Sequence, residues 1–514
     1  MHGLPSIPQT LRPWRRGPRR ACLQDGATEA AQASHPAMTR LRSEDRFDVV
    51  VIGGGAGGLS VASVAARLGQ RVALIEASGE LGGECLHTGC VPSKTLIRSA
   101  RVAQLMRRGD EFGVAARDPE PDMAAVNARV RRVVGRLQHH DDPARFEAYG
   151  VEVIFGVARF LDPHHVETAG RRLYGRRFVL ATGSLPWVPP IPGLSQAGYW
   201  TNETLFGVSE APRRLAIIGA GPVGVEMAQA FQRLGWTVTL MESREHILPG
   251  EDAGAAEALR AVLEAEGATV HTSARVAAID AGTDGHVLYL ADGSQVVADR
   301  ILVAAGRKAA TGGLDLHAAG VTLDEGGTVA VDSRQRTRSR HIFAVGDVCG
   351  PYHFSHLASY QAGVVIQNAL FRVPARADLR ALPRVVYSDP ELAQVGMTVA
   401  EAEQRHGDIE VHRADFADLD RAVAEGEDRG YVRIVFRRGR IVGATVLGAH
   451  AGEMLPQLVQ AVRGRLSPRD IVAAVHAYPT LAEIIKRAVE PYYGERLFRP
   501  RVRTLVRWLD RLLP

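Results

Sequence analysis

The chain has 514 residues, which is more than a single hydrophobic core usually contains, so we expect several domains. Hydrophobic residues make up 46% and charged residues 23% of the sequence, and no apolar run is long enough to cross a membrane. The net charge of +5 comes from arginines spread along the chain without an aromatic-rich basic module, which argues against a nucleic-acid-binding protein. The four cysteines are too few for a secreted disulfide framework, so we expect a cytoplasmic protein.

The first 46 residues differ from the rest of the chain in composition. They are rich in arginine and proline, show no helical or strand periodicity, and precede the first strand pattern. We therefore predict that residues 1–46 form a disordered extension. An arginine-rich start without an acid before Asp25 is also typical of a targeting arm. Met38 stands just before the first strand, however, which favours an overextended start or a loose tail.

Two segments, 47–76 and 215–242, repeat one order of elements. Each has a β-branched strand, a glycine-rich turn, a helix rich in small residues, and a second strand that ends in an acid. A glycine-rich turn in this context, with an acid twenty-odd residues later, is typical of a dinucleotide-binding unit. The glycines that would permit the tight turn, the approach of a pyrophosphate and close helix packing are Gly53, Gly55 and Gly58, and then Gly219, Gly221 and Gly224.

The acid at the end of each unit bears on the nucleotide that binds there. Glu76 and Glu242 stand where a carboxylate accepts hydrogen bonds from an adenosine ribose. In the second unit a carboxylate would repel the 2′-phosphate of NADP, so we expect NAD. Arg244, two residues later, could pair with such a phosphate, and NADP therefore stays open.

Cys85 and Cys90 lie five residues apart in the segment GGECLHTGCVPSK. In a regular helix that separation places the Cα atoms roughly 8.7 Å apart, beyond the ~7 Å that a disulfide tolerates. A bridged pair therefore requires a distorted start of a helix, for which the surrounding glycines and proline supply the backbone freedom. The helix N-terminus would also lower a thiolate pKa. The spacing does not suit zinc and no second ligand pair lies nearby, so we predict no bound metal.

These residues together resemble the flavoprotein disulfide reductases, or class I pyridine nucleotide-disulfide oxidoreductases, over residues 47–493. The motifs GGxCxxxGCxPSK, ATGS, GAGPVGVE, AAGR and VGDV occur in the order typical of that family. The resemblance implies an α/β fold with two Rossmann-like domains, which bind FAD and NAD, and a C-terminal α+β domain that forms a homodimer. It implies an FAD-binding domain at 47–185 and 302–381, an NAD(P)-binding domain at 186–301 and a dimerisation domain at 382–495.

The resemblance also implies roles for individual side chains. Cys85 would be the thiol that meets the substrate, and Cys90 the thiolate that lies against the flavin. Lys94 matches a lysine near the flavin ring, and Glu226 matches the acid that pairs with it. Positions that match FAD contacts are Ala158, Thr182, Gly183, Ser184, Asp347, His353 and His356, and those that match nicotinamide-nucleotide contacts are Val276 and Gly306.

The C-terminal motif HAYPTLAE departs from the lipoamide- and glutathione-type members of this family. Those members carry a histidine where this chain has Tyr478, whereas the glutamate that follows is present as Glu483. His476 lies two residues early, and a tyrosine with an unperturbed pKa is a poor proton shuttle at neutral pH. A tyrosine near this point is similar to mercuric reductase, but this chain lacks that enzyme's terminal cysteine pair, since no cysteine follows Cys349.

The resemblance therefore implies an FAD-dependent enzyme that moves electrons between NAD(P)H and an acceptor through a Cys85–Cys90 disulfide. In the mercuric-reductase-like interpretation the acceptor is a metal ion, a quinone, a small disulfide or oxygen. One alternative is dihydrolipoyl dehydrogenase, with His476 or Tyr478 as the base. Another is a flavin-binding interaction protein without catalysis, against which the intact cysteine pair argues.

The last segment, residues 496–514, is predicted to be a basic amphipathic helix. Such a helix either docks on the protein body or lies on a membrane surface, and we expect docking on the body. Its arginines lie opposite an apolar row formed by Val502, Leu505, Val506, Leu509, Leu512 and Leu513.

Overall fold

The computed structural model describes residues 45–209 and 214–512. The predicted disorder of residues 1–46 thus lies almost wholly outside the described residues. The strands, in chain order, are β1 (Arg46–Phe47), β2 (Val49–Ile52), β3 (Val72–Glu76), β4 (Val151–Phe155), β5 (Arg159–Asp162), β6 (His165–Thr168), β7 (Arg171–Gly175), β8 (Phe178–Leu180), β9 (Ser184–Pro186), β10 (Arg214–Ile218), β11 (Thr237–Met241), β12 (Thr269–His271), β13 (Val276–Gly282), β14 (Gly285–Leu290), β15 (Gln295–Ala298), β16 (Arg300–Val303), β17 (Arg307–Ala309), β18 (Ile342–Ala344), β19 (Pro383–Val386), β20 (Glu391–Gly396), β21 (Glu410–Asp415), β22 (Tyr431–Arg437) and β23 (Arg440–Gly448).

The helices lie mainly between strands of the two parallel sheets and on the C-terminal sheet. In chain order they are α1 (Ala56–Arg67), α2 (Gly83–His87), α3 (Cys90–Arg107), α4 (Met123–Gln138), α5 (Pro143–Ala148), α6 (Leu194–Ala197), α7 (Pro222–Arg233), α8 (Ala253–Ala265), α9 (Ser355–Ala369), α10 (Val399–His406), α11 (Asp420–Glu425), α12 (Ala451–Val462), α13 (Pro468–Ala473), α14 (Glu483–Leu497) and α15 (Pro500–Leu509).

The first dinucleotide unit is built on a parallel sheet in the order β18-β8-β2-β3-β4. Its central strand β2 is buried on both faces, because successive side chains of a strand point to opposite sides. Val50 and Ile52 enter one apolar cluster, whereas Val49 and Val51 enter another that includes α1. The β-branched run read from the sequence is therefore the centre of a doubly covered sheet.

The second unit repeats this plan with a parallel sheet in the order β12-β11-β10-β16. Leu215 and Ile217 of β10 face one apolar cluster, and Ala216 and Ile218 face the other. Strand β16 pairs with β10 as far as Val303, so the domain boundary expected at residue 301 falls within a strand. The predicted α/β class is confirmed.

The C-terminal part forms an antiparallel sheet in the order β19-β20-β23-β22-β21. Helices α12 and α14 cover this sheet with Leu455 and Leu458 from the first helix and Ile485 and Val489 from the second. This is the α+β module that the alternating strand pattern predicts.

Helix α3 connects all three parts. Its Arg101 lies 3.7 Å from Asp389 and 3.1 Å from Glu427, both of the C-terminal part. Its last residue, Arg107, donates to the carbonyl oxygen of Arg233 in α7 at 2.7 Å. Arg233 in turn lies 2.7 Å from Asp389. Charges that are paired and largely buried in this way hold the far end of α3 against both neighbours.

The predicted terminal helix is present as α15, but it is not packed on the protein body as the sequence analysis expects. The expectation that it docks on the body of the same chain is wrong, because no residue of α15 is buried. Leu505 and Trp508 leave 52% and 56% of their surface exposed. Within the ranges given above, no helix combines the length and apolar character needed to cross a bilayer.

Candidate active site

The predicted distortion around the cysteines is present as a break between two helices. Cys85 lies in the short helix α2, the chain leaves the helical path at Thr88 and Gly89, and Cys90 is the first residue of α3. Gly89 allows the two segments to approach, since a Cβ atom there would lie 3.3 Å from the Cα atom of Cys85. Both cysteines line a cavity of about 650 Å³.

The two sulfur atoms are present as a hydrogen-bonded pair of free cysteines. The hydrogen bond from Cys85 lowers the pKa of Cys90 to about 6, against the effect of burial, and Lys94 adds a favourable positive charge. The same hydrogen bond, together with burial, raises the pKa of Cys85. At neutral pH the pair therefore holds one proton on Cys85 and a thiolate on Cys90.

Lys94 lies one helical turn beyond Cys90, on the side of α3 that faces α7. Its Nζ donates to Oε2 of Glu226 at 2.8 Å and lies 4.4 Å from the centre of the Tyr387 ring. The side chain of Glu226 is only 5% exposed, and its other oxygen accepts from the backbone nitrogen of Tyr387 at 3.0 Å. Burial alone would lower the pKa of Lys94, but the charge of Glu226 outweighs it and the net pKa is raised.

A second polar network borders the same cavity. Ser184 donates to Asp347 at 2.6 Å and accepts from Nε of Arg307 at 2.7 Å. Arg307 also forms an ion pair with Glu84, which accepts from Asn202 at 2.8 Å. Burial raises the pKa of Glu84 to about 7 despite the neighbouring guanidinium.

Four residues of these networks were missed by the sequence analysis, namely Glu84, Asn202, Arg307 and Tyr387. Glu84 and Arg307 lie next to the motif residues Cys85 and Gly306, so adjacency was the available signal. Tyr387 lies 293 positions after Lys94 in a strand-like segment, and nothing in its surroundings marks it.

The first glycine turn is a close-packed cradle. A Cβ atom on Gly53 would lie 2.3 Å from the carbonyl oxygen of Ala181, and one on Gly58 would lie 1.9 Å from that of Gly53. Glu76 braces the turn by accepting from the nitrogen of Gly54 at 2.6 Å. This tight turn leads into the start of α1, whose backbone no side chain caps, and that arrangement fits the pyrophosphate of FAD.

Most of the other predicted FAD contacts surround this cradle, with one exception. The backbone at Thr182 and Gly183 is held by Ala310, which accepts from the Thr182 hydroxyl at 2.8 Å and donates its nitrogen to Gly183 at 3.0 Å. Ala158 is 3% exposed within an apolar cluster and is not among the cavity-lining residues. The predicted positions that line the cavity are Gly55, Cys85, Cys90, Lys94, Gly183, Glu226, Asp347, His353 and His356.

The second glycine turn has the same construction. A Cβ atom on Gly219 would lie 2.5 Å from the carbonyl oxygen of Ala304, and one on Gly224 would lie 1.9 Å from that of Gly219. Glu242 accepts from the nitrogen of Ala220 at 2.9 Å, as Glu76 does in the first unit. No atom lies within 4 Å of a Cβ atom built on Gly221, so this turn is open to a nucleotide.

The other two positions predicted to hold the nicotinamide nucleotide lie on separate segments. Val276 opens β13 and is 5% exposed. Gly306 has φ +134° and open space around its Cα, which suits close approach of a ligand. Pro222, Val223 and Met227 of α7 line the cavity that contains the cysteines.

Comparison with protein families identifies the fold. Residues 47–369 match the family model described as pyridine nucleotide-disulphide oxidoreductase, and residues 382–489 match the dimerisation domain of the same family. The chain belongs to the pyridine nucleotide-disulphide oxidoreductase family. It is therefore an oxidoreductase of the FAD-dependent, NAD(P)H-using class, as the sequence predicts.

The chain is similar to relatives that carry two different enzyme names. The chain is 31% identical to mercuric reductase of Lysinibacillus sphaericus, covering 90% of this chain and 85% of the relative. It is 35% identical to dihydrolipoyl dehydrogenase of Thermus scotoductus, covering 88% and 98%. Among solved structures it is similar to a Cu(II) complex of the HOCl-induced flavoprotein disulfide reductase RclA from Escherichia coli, with a TM-score of 0.78, 28% identity and coverage of 86% and 99%.

The predicted C-terminal residues lie away from the cysteines of the same chain. Tyr478 is 69% exposed, and its hydroxyl donates to Asp420 at 2.7 Å, which raises its pKa. Glu483 accepts from Arg487 at 3.1 Å, and His476 is half-buried. None of them is among the cavity-lining residues. Their predicted catalytic role stays a prediction.

Proposed function

We propose that this protein oxidises NAD(P)H and passes the electrons through Cys85 and Cys90 to a soft metal ion, in the manner of a mercuric reductase. The observation that carries the proposal is the thiol–thiolate pair at the cavity, with the pKa of Cys90 at about 6 and the Lys94–Glu226 ion pair beside it. Thiolates bind soft metal ions strongly. Relatives named mercuric reductase and a similar flavoprotein solved with Cu(II) support this acceptor class.

The residues of this chain would act in a balanced cycle. FAD, when bound, supplies the transfer of two electrons from the nicotinamide to the protein. Two electrons break the Cys85–Cys90 disulfide, which leaves a thiolate on Cys90 and, after uptake of one proton, a thiol on Cys85. Reoxidation forms the S–S bond again and releases that proton, while two electrons reduce one mercuric ion, or two cupric ions by one electron each. Lys94 would stabilise the thiolate by its charge.

We also propose which parts of the chain hold the cofactors. The first glycine turn with Glu76, Ser184 and Asp347 would bind FAD, and the second turn with Glu242 would bind the nicotinamide nucleotide. Glu242 favours NAD, because its carboxylate would lie beside a 2′-phosphate. The domain limits stated in the sequence analysis belong to this proposal.

A homodimer completes the proposal. The match of residues 382–489 to a dimerisation domain supports it, and the exposed Tyr478 and the half-buried Glu483 would then face the cysteines of the partner subunit. A tyrosine whose pKa is raised by Asp420 is a poor base for dithiol exchange, which disfavours lipoamide. Oxidation of dihydrolipoamide is nevertheless the second candidate, because a dihydrolipoyl dehydrogenase is 35% identical over almost its whole length.

Stopped-flow reoxidation distinguishes the two candidates. The FAD-loaded protein is reduced with one equivalent of NADH without oxygen, then mixed with mercuric ion, cupric ion or lipoamide. We expect reoxidation by a metal ion to be at least about tenfold faster than by lipoamide, and Cys85→Ser to abolish it. The matched control Cys349→Ala removes a buried cysteine in an apolar cluster and should leave the rate unchanged. Faster turnover of lipoamide would overturn the proposal in favour of the second candidate.

A further inference from the structure

The terminal helix α15 is an exposed amphipathic helix outside the family domains. The dimerisation-domain match ends at residue 489, whereas α15 spans Pro500–Leu509. Large apolar side chains that water reaches in this segment and just before it are Leu497, Phe498, Leu505, Val506, Trp508, Leu509 and Leu512. An apolar surface of this size on a soluble domain marks a place where something else binds.

The two faces of this helix differ in charge. Leu505, Leu509 and Leu512 recur at three- and four-residue spacing, so they lie on one side of the helix. Arg503 and Arg507 recur four apart on the opposite side. Between residues 499 and 512 the sequence has five arginines and one aspartate, and Trp508 flanks the apolar row.

We propose that α15 binds the surface of a lipid bilayer that carries anionic headgroups. Insertion of the apolar row into the boundary between headgroups and acyl chains would bury Leu505, Leu509 and Leu512, while the arginines stay among the phosphates. Tryptophan is enriched at that depth because its ring is apolar and its N–H is polar.

A second copy of this chain is a poorer match in charge. The chain as a whole carries a net charge of +5, and the helix adds to that excess, so two copies would repel each other at this face, whereas an anionic bilayer would attract it. The helix is also too short and too basic to span the membrane, so the contact is with the surface only.

Co-sedimentation with vesicles tests this inference on the full-length, FAD-loaded protein. We expect the protein to pellet with phosphatidylcholine vesicles that contain phosphatidylglycerol, and at least about tenfold less with phosphatidylcholine alone or after deletion of residues 499–514. The deletion removes no residue of the proposed active site, so NADH-dependent turnover in solution should be unchanged. Equal pelleting of the intact and shortened proteins would overturn the inference.

A matched pair of variants separates apolar insertion from charge. Leu505→Glu and Thr504→Glu change the net charge equally, but only the first removes an apolar side chain from the row. We expect Leu505→Glu to abolish vesicle binding and Thr504→Glu to weaken it about fivefold, the effect of one charge near an anionic surface. The inference is wrong if the intact protein does not bind vesicles and Leu505→Glu converts a dimer into a monomer in light scattering. The apolar row would then bind a second copy of the chain.

Trp508 provides a direct signal of insertion. Its fluorescence should shift to shorter wavelength when anionic vesicles are added, because the indole leaves water. The difference between the intact protein and Trp508→Phe isolates this signal from the other tryptophans. No shift in the presence of bound vesicles would contradict insertion of the apolar row.

Discussion

The two dinucleotide units share a turn but differ in what covers it. In both, the first glycine has positive φ, the third glycine packs against the carbonyl oxygen of the first, and a glutamate 22 residues after its partner accepts a backbone hydrogen bond. In the first unit Gly83 lies over the turn, and a Cβ atom there would lie 2.7 Å from the Cα atom of Gly55. In the second unit nothing lies within 4 Å of such an atom on Gly221.

We expect this difference to affect how long each nucleotide stays bound. The loop that covers the first turn continues directly into Cys85, so closure of the turn and placement of the redox pair depend on the same segment. Leu81 of that loop also explains why Gly54 has no side chain, whereas its counterpart Ala220 carries one in a buried position. A covered turn suits a cofactor that remains bound, and an open turn suits one that exchanges in each cycle.

The largest effect is expected from a substitution at Gly83, which covers the first glycine turn. Gly83 has φ +61°, so Gly83→Val combines backbone strain with a clash against Gly55 and should cost about 3 kcal/mol, or about 100-fold in FAD affinity. Gly221→Ala meets open space at φ −70° and should keep its FAD, while raising KM for NADH because Gly221 lies at the proposed nucleotide site. The ratio of flavin to protein absorbance after dialysis measures retention. Equal retention by both variants would refute the role of the cover.

The ion pair that joins the units gives the next effect. Lys94→Met would leave the carboxylate of Glu226 buried without its cation, and we expect the free energy of unfolding to fall by about 2–3 kcal/mol. The control Lys308→Met replaces an exposed lysine of β17 and should change it by less than about 0.5 kcal/mol. Urea unfolding of both FAD-loaded variants provides the comparison. An equal loss in both would mean that the pair does not hold the units together.

A smaller change should reveal the nucleotide preference of the open turn. Glu242→Gln removes the negative charge at the proposed ribose site, and we expect the ratio of kcat/KM for NADPH over NADH to rise about tenfold. Arg244→Ala should move the ratio in the other direction, because the arginine is the cation available to a 2′-phosphate. Steady-state rates with both nucleotides measure the ratio, and an unchanged ratio in Glu242→Gln would remove Glu242 from the specificity site.

The smallest expected effect is the pH dependence of the Cys90 thiolate, which follows the covered turn in the sequence. The pKa of Cys90 is lowered, so its thiolate is present above pH 6 and is protonated as the pH falls through about 6. In the NADH-reduced protein the long-wavelength absorbance of a thiolate against flavin should therefore fall to half at about that pH. Lys94→Met should move the midpoint upward, since a positive charge is lost. A midpoint at the free-thiol value of about 8.5 would show that the hydrogen bond from Cys85 is absent.

The sequence predicts what is local and repeated. The two glycine turns, their acids, and the break before Cys90 follow from spacing within a few residues, and each occurs in the structure. The domain boundary expected at residue 301 stays a prediction, because an apolar run does not show where one domain ends and the next begins.

Long-range partners were beyond the reach of spacing rules. Tyr387 meets Lys94 only because three domains converge, and the Glu84–Arg307 pair joins residues 223 positions apart. The prediction of where α15 lies was wrong for a related reason. Helical periodicity identifies an apolar row, but the same row is expected whether a protein or a lipid surface covers it.

Helix α3 has a mechanical consequence for the thiolate. Its 18 residues span about 27 Å, with Cys90 at one end and Arg107, fixed to the carbonyl oxygen of Arg233, at the other. The N-terminal end of the helix thus carries the redox sulfur, and its C-terminal end is fixed where the three domains meet. A rotation of the second unit or of the C-terminal domain that moves Arg107 would also tilt the end of the helix at Cys90. The position of the Cys90 sulfur therefore depends on how the three domains are arranged.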